Sequence, residues 1–482
     1  MKPHIILIQS DQHNARIAGY AGDPWVRTPN LDRLAAEGVS LDACYCPSPL
    51  CVPSRMSMLA GQLPSEIGVW TNEQSLSTDT PTFVHSLAAG GYDTTLCGRM
   101  HFIGPDQRHG YHHRLVGDLC PTRLGGEKSI SRPLDNSLGN TMGATRNTVV
   151  KSGAGSSRIL RYDDAVRDAA VDWLEQLPED ASPQFLTVGL YGPHCSFVAP
   201  PELYQHYYEK LPLPELESPP HLYQKEFNQR CDLGGYEQED LRRIRAAYYG
   251  MVEKLDSDIG TVIAAADRKF GRENYVLIYT SDHGEMLGEK DLICKTHFYD
   301  SSARVPFLAR WSSHFPESRR IQEATSLLDL SPTLTAIGEG PSLPLQHGES
   351  LEPVLTGGTA DTKRVVLSQF ATTVDGYVSG MARDARYKYI YYHGYENPQL
   401  FDMQEDPWEK NDLSGQPDLR PIREGLHATL AASWDPEKIR EQVIRSWKES
   451  AIVRACENKQ FIPNPELWPG EETDDCLLKT DI

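Results

Sequence analysis

Leu50-Cys51-Val52-Pro53-Ser54-Arg55-Met56-Ser57-Met58-Leu59-Ala60-Gly61-Gln62 puts a thiol, a proline and an arginine at the start of a helix, in a stretch dense with turn residues. Pro53 fits the first helical turn, where its missing N–H costs nothing. Met56, Met58 and Leu59 give the helix a face to bury. Cys51 therefore stands where free backbone N–H groups and the helix dipole attract an anion. Arg55, one turn later, can point back at the same anion. From these residues alone Cys51 is either a buried cysteine at a helix start or a reactive one facing an anionic ligand.

Outward from this stretch, strands and helices alternate. His4 to Gln9 is a continuous apolar run of buried-strand type that ends at Ser10-Asp11. Thr28 to Glu37 reads as a helix stopped by Gly38, and Thr82 to Ala89 as one ended by Gly90-Gly91. A strand follows over Tyr92 to Cys97, then an amphipathic helix over Tyr162 to Leu177 and a strand over Gln184 to Tyr191. Asp240 to Phe270 carries a long helical pattern, and Tyr275 to Thr280 is another hydrophobic strand. This order predicts an α/β fold, a large mainly parallel central sheet with helices on both faces. Sites in such sheets gather at the carboxyl ends of the strands.

The character changes near residue 377. Tyr377 to Arg383 and Tyr387 to Tyr392 read as neighbouring antiparallel strands, followed by a helix from about Asp418 to Ala432. The expected division is a catalytic α/β domain over 1–370, a small C-terminal α+β subdomain with an antiparallel sheet over 371–433, and a tail over 434–482. Residues 117 to 157 are rich in Gly, Ser, Asn and Arg and look like a long surface excursion of the kind that walls an active site. Residues 211 to 236 are similarly irregular, and no internal repeat is visible.

With 482 residues, 39% of them apolar and 24% charged, the chain has the composition of a soluble globular protein. Its net charge of −20 argues against nucleic acid and against an anionic membrane surface. An anionic small molecule is still allowed, because a metal and a few cations can dominate the field inside a cleft. No export signal and no membrane-spanning stretch are visible. The ten cysteines lack a small-domain disulfide rhythm, so a cytoplasmic protein with reduced thiols is expected. Cys44, Cys46 and Cys51 could hold zinc, but no second paired-ligand motif completes such a site.

Asp11-Gln12 follows the first strand, and Asp282-His283-Gly284-Glu285 follows the strand that starts at Tyr275. A single strand-end Asp is often a helix cap. Two of them at the edges of neighbouring parallel strands can converge on one hard cation, with an amide oxygen and an imidazole filling in. Cys97-Gly98-Arg99-Met100-His101 also follows a strand, and Arg99 and His101 share a face if that strand continues. Gly192-Pro193-His194 and Cys294-Lys295-Thr296-His297 add a loop histidine and a loop lysine, residues that taken singly are normally just solvated.

The Cys51-x-Pro53-Ser54-Arg55 run with Gly61-Gln62, and these segments in this order, resemble type I sulfatases of the alkaline-phosphatase superfamily. The similarity is greatest to the subgroup of choline sulfatases and phosphonate monoester hydrolases. The resemblance implies a sulfuric ester hydrolase in which Cys51 is oxidised to formylglycine by a formylglycine-generating or equivalent maturation enzyme. It implies a metal site of Asp11, Gln12, Cys51, Asp282 and His283 for one divalent cation, calcium foremost, with manganese or magnesium as alternatives. Gln12 and His283 stand where many sulfatases have Asp and Asn, a departure shared with the subgroup. Cys51, Arg55, His101, His194 and Lys295 are implied as catalytic, with His101 contacting the diol, His194 facing the leaving-group oxygen and Lys295 the sulfuryl group. Asn72 and Arg99 are implied as substrate contacts. Arg99 replaces the usual lysine and cannot give up a proton.

The substrate implied is a small-molecule sulfate monoester. A phosphonate monoester hydrolase or phosphodiesterase on the same site is the alternative, and an acidic binding module with unmodified Cys51 a third reading. A choline head group calls for an aromatic cage, whereas the loop after Gly117-Asp118-Leu119-Cys120-Pro121 carries Arg123, Lys128 and Arg132. That points to a different sulfate ester. Trp434 to Arg440 resembles the choline sulfatase tail, which reaches a neighbouring subunit. Ile439, Val443 and Trp447 share one helical face there, so a homo-oligomer, dimer or tetramer, is expected.

Overall fold

The computed structural model describes residues 2–120, 145–214, 219–359, 361–373, 376–457 and 476–477. Arg123, Lys128 and Arg132, and most of the acidic end of the tail, lie outside the described residues. The central sheet has eight strands: β1 (His4–Asp11), β2 (Val39–Leu41), β3 (Asp93–Gly98), β4 (His113–Arg114), β5 (Gln184–Pro193), β6 (Tyr275–Ser281), β7 (Phe307–Arg310) and β8 (Arg319–Ile321). Their spatial order is β8-β2-β7-β6-β1-β5-β3-β4. All neighbours are parallel except β7, which runs antiparallel to β2 and β6.

Alternation along the strands buries both faces. Ile5 and Leu7 of β1 enter one core with Val276 and Ile278 of β6, while Ile6 and Ile8 enter the other with Leu277 and Tyr279. Helices α1 (Pro29–Ala36), α4 (Arg158–Gln176) and α5 (Gln238–Phe270) cover the second face. Helices α2 (Cys51–Ala60) and α3 (Phe83–Ala89) cover the first. The sequence assigned α2 one buried face, yet all ten of its residues are buried. It is an internal helix rather than an amphipathic surface one.

Register brings the strand ends level. β1 pairs with β6 from His4↔Tyr275 to Ser10↔Ser281, and with β5 from Ile5↔Phe185 to Asp11↔Pro193, with an irregularity after Gln9. β3 ends at Gly98, opposite Gly189. It does not continue to His101, so Arg99 and His101 meet through a turn in which His101 has φ 62°, not through strand alternation. At Gly189 a Cβ would sit 1.9 Å from the carbonyl oxygen of Arg99, so only glycine lets that turn close against β5.

The small sheet is β9 (Val366–Ala371), β10 (Val378–Arg383), β11 (Tyr387–Tyr392) and β12 (Gln399–Asp402), antiparallel throughout and in chain order. It begins at Val366, a few residues before the expected boundary at 370. Helices α7 (Arg420–Ala432) and α8 (Pro436–Glu457) accompany it, with α6 (Leu330–Ile337) on the central domain. The tail face corrects an expectation. Ile439 and Val443 are buried on their own chain, in a cluster with Leu63, Trp70, Leu430 and Trp434. Only Trp447 of that set stays open, at 48% exposure. No helix among the described residues is long and apolar enough to cross a membrane.

Candidate active site

Four chain segments leave the carboxyl edge of the sheet at one place. β1 ends in Asp11, β6 is followed by Asp282 and His283, β5 leads to His194, and β3 leads to Arg99 and His101. Cys51 opens α2 over this edge, with extended Leu50 before it. Its Sγ lies 3.2 Å from His283 Nε2, 3.1 Å from Lys295 Nζ and 3.8 Å from Asp11 Oδ1. Burial alone would push the thiol pKa up, but the Lys295 ammonium, with His101 bonded to the sulfur, holds it well below the ordinary value. Asn72 Oδ1 accepts from the N–H of Val52, satisfying one free donor of the first turn.

Asp11 is fully buried. Its Oδ2 accepts from Arg99 Nε at 2.6 Å and from Arg55 Nη2 at 3.1 Å. Burial and the neighbouring Cys51 would raise its pKa; Arg99 and Arg55 outweigh them and hold the carboxyl well below its usual range. Asp282 Oδ2 accepts from Arg55 Nε at 2.8 Å, and its Oδ1 from the backbone N–H groups of Gln12 and His283. His283 Nδ1 faces the carbonyl of Gly284 at 3.0 Å. A carbonyl only accepts, so the proton is on Nδ1 and the Nε2 lone pair points at Cys51 and the two carboxylates.

Lys295 is 7% exposed, and its Nζ donates to Gln12 Oε1 at 2.9 Å, Cys51 Sγ at 3.1 Å and His194 Nε2 at 2.6 Å. Burial would lower its pKa, but Cys51 and Asp11 raise it above the ordinary lysine value, so it is an ammonium. His194 must then accept at Nε2, and its Nδ1–H donates to the carbonyl of Cys195 at 2.5 Å. Gln12 has φ 69°, a left-handed conformation held by Asp282 on its N–H and by the Tyr248 hydroxyl on its carbonyl.

Both arginines are placed differently from the sequence expectation. Arg55 donates to Asp282, Gln9, Ser10 and Asp11, and Arg99 to Asp11, Asp118, Cys120 and His101 while lying 4.0 Å from the Tyr191 ring centroid. Neither is exposed to solvent. Arg55 pairs with Asp11 and Asp282, and Arg99 with Asp11 and Asp118. Asp118 and Glu285 escaped notice as site residues. Asp118 accepts from Arg99 Nη1 and the His101 N–H, and Glu285 from Gln12. No spacing rule links Asp118 to Arg99, but Glu285 stood in full view beside Asp282-His283.

The donor set fits a divalent cation. Ligand atoms of Asp11, Cys51, Asp282 and His283 lie within 4.8 Å of one another, all buried, and the Gln12 amide oxygen accepts from the same Lys295 Nζ that contacts Cys51. Two carboxylates, an amide oxygen and an imidazole suit a hard or borderline ion. Cys44 and Cys46 are not in this group, which removes the zinc reading built on them.

The family model described as Sulfatase matches residues 3–339, and that described as N-sulphoglucosamine sulphohydrolase, C-terminal, matches residues 288–435. A choline-sulfatase of Rhizobium meliloti (strain 1021) is 32% identical over 492 residues, covering 96% of this chain and 93% of the relative. The phosphonate monoester hydrolase structure of Agrobacterium radiobacter superposes with a TM-score of 0.73 at 23% identity, over 90% of this chain and 95% of that one. A protein solved with its substrate D-glucosamine-2-N,6-O-disulfate gives a TM-score of 0.73 at 20% identity, over 92% and 98%.

Proposed function

The chain belongs to the sulfatase family, and from that premise we propose that it hydrolyses a sulfate monoester at residue 51, with a divalent cation held by Asp11, Gln12, Asp282 and His283. One juxtaposition carries the reading. Cys51 opens a buried helix within reach of Lys295 and His283, beside the carboxylates of Asp11 and Asp282. A hydrated formylglycine at position 51 would supply a geminal-diol nucleophile. A cation, calcium in the first instance with manganese or magnesium as alternatives, would supply positive charge against the sulfate oxygens.

The side chains divide the remaining work. Asp282, bonded by Arg55 and two backbone N–H groups, stands ready to take a proton from the nucleophile. Lys295 and His194 share a proton across 2.6 Å, and this pair protonates the leaving oxygen. Arg99 orients His101 by donating to its Nδ1. Arginine cannot accept, so the ring proton sits on Nε2. Arg55 bonds Asp11 and Asp282, and Arg99 bonds Asp11, so their charge balances that of the carboxylates.

A phosphonate monoester or phosphodiester is the second substrate class. Gln12 and His283 permit it, and Gln12 in place of the usual Asp leaves the site less negative. A maturation enzyme acting on Cys51, a homo-oligomer and a cytoplasmic location belong to the same reading. The test is release of sulfate from aryl, alkyl, choline and sugar sulfates, compared with turnover of a phosphonate monoester, alongside mass spectrometry of the peptide containing residue 51. Sulfate release with loss of the sulfur from residue 51 is expected; an intact thiol in active protein refutes the formylglycine. Chelation should abolish turnover, and calcium or manganese should restore it. Full activity in protein shown metal-free by elemental analysis would sink the metal site.

A further inference from the structure

The Gln12 amide has two ends with opposite demands. Its Nε2 donates to Glu285 Oε2, and its Oε1 accepts from Lys295 Nζ at 2.9 Å. A carboxylate can only accept and an ammonium can only donate, so the amide has one allowed orientation. The main chain of Gln12 is pinned as well, by Asp282 on its N–H and Tyr248 on its carbonyl. Glu285 is itself fixed: its Oε1 accepts from the N–H of Leu287 at 2.9 Å and of Cys294 at 2.6 Å, and it is fully buried. We propose that Glu285 is a positioning residue that sets the polarity of the Gln12 amide, turning its oxygen toward the cation donors and Lys295.

This rests on the metal reading above and goes beyond it, since Glu285 would touch neither cation nor substrate. Glu285→Gln leaves the shape nearly unchanged but reverses one polarity. The N–H groups of Leu287 and Cys294 require an oxygen at the Oε1 position, so the new NH2 must face Gln12. Two NH2 groups then oppose each other. The Gln12 amide either loses that bond or flips, which would put its own NH2 against the Lys295 ammonium and the cation donors. The reciprocal pair Gln12→Glu with Glu285→Gln restores a donor facing an acceptor at the same net charge, with an oxygen again toward Lys295.

The measurement is a titration of the full-length protein with manganese(II) alone, following free ion by electron paramagnetic resonance, with residue 51 in the same state in every sample. Glu285→Gln should weaken binding by about 10–100-fold, the usual scale for a partner behind a ligand, and the double variant should recover most of the loss. Gln12→Glu alone is the control for added ligand charge: it should bind more weakly than the double variant, and equal or tighter binding would trace the recovery to charge and overturn the proposal. Undiminished binding by Glu285→Gln overturns the proposal. A double variant that binds no better than the single one, or does not fold, overturns it too. If the unaltered protein binds no manganese, the metal reading fails first and the inference falls with it.

Discussion

Arg55 and Arg99 sit beneath Asp11 and Asp282 with their donors engaged by protein groups, so the residues around Cys51 are anchored from below by buried ion pairs. Removing one partner of such a pair is far more costly than the pair is stabilising. Arg55→Leu should therefore cost about 3–5 kcal/mol in denaturant unfolding, by leaving buried Asp282 without its arginine and Asp11 with Arg99 alone. Added calcium should recover part of that loss, because a bound cation replaces the missing charge; equal loss with and without calcium would disconnect Arg55 from the cation site. Cys51→Ala and Cys51→Ser should both fold yet lose turnover by about 10³-fold or more, on the scale seen when a nucleophile is removed. Alanine offers no nucleophile, and serine forms at best one ester that has no second hydroxyl to release it. Multiple turnovers by either variant would end the formylglycine reading.

Among the elements, α8 makes the clearest prediction. Ile439 and Val443 are buried against Leu430 and Trp434, whereas Trp447 on the same helix is half exposed. Ile439→Ala should destabilise the fold by about 2–4 kcal/mol through cavity formation, and Trp447→Ala should change it by less than about 0.5 kcal/mol. If Trp447→Ala instead lowers the mass seen by light scattering, Trp447 lies in a subunit contact. The long buried strands were legible because β1, β5 and β6 are unbroken apolar runs. β2, with three residues, and β7, with four, are too short to show a period, and β7 alone reverses direction. The candidate site was legible where a strand end carried an Asp or His. The engagement of Arg55 and Arg99 was hidden, because their partners Asp282 and Asp118 are set by the tertiary arrangement and not by any nearby spacing.

Across the whole molecule, stability is tied to pH through histidines that burial keeps neutral. Burial takes His297 from an ordinary 6.5 down to about 3, and both its ring nitrogens lack partners among the described residues. His13 is likewise pushed down to about 4. Below about 6.5 the unfolded chain takes up these protons and the folded chain does not. Their contribution is thus complete above that pH and is lost as pH falls towards 4 and 3, by at most about 1.4 kcal/mol per pH unit for each group. His297→Leu should make the decline of melting temperature between pH 6.5 and pH 5 shallower; an unchanged slope would refute the assignment. The depth of Cys51 has a different kind of consequence, one of timing. At 1% exposure, at the head of a helix enclosed on every side, its thiol is out of reach of another enzyme once the sheet has closed. If residue 51 is oxidised as proposed, the modification must reach the nascent or unfolded chain; a molecule that folded first would stay unprocessed, and the active fraction of a preparation would record a race between two rates during synthesis.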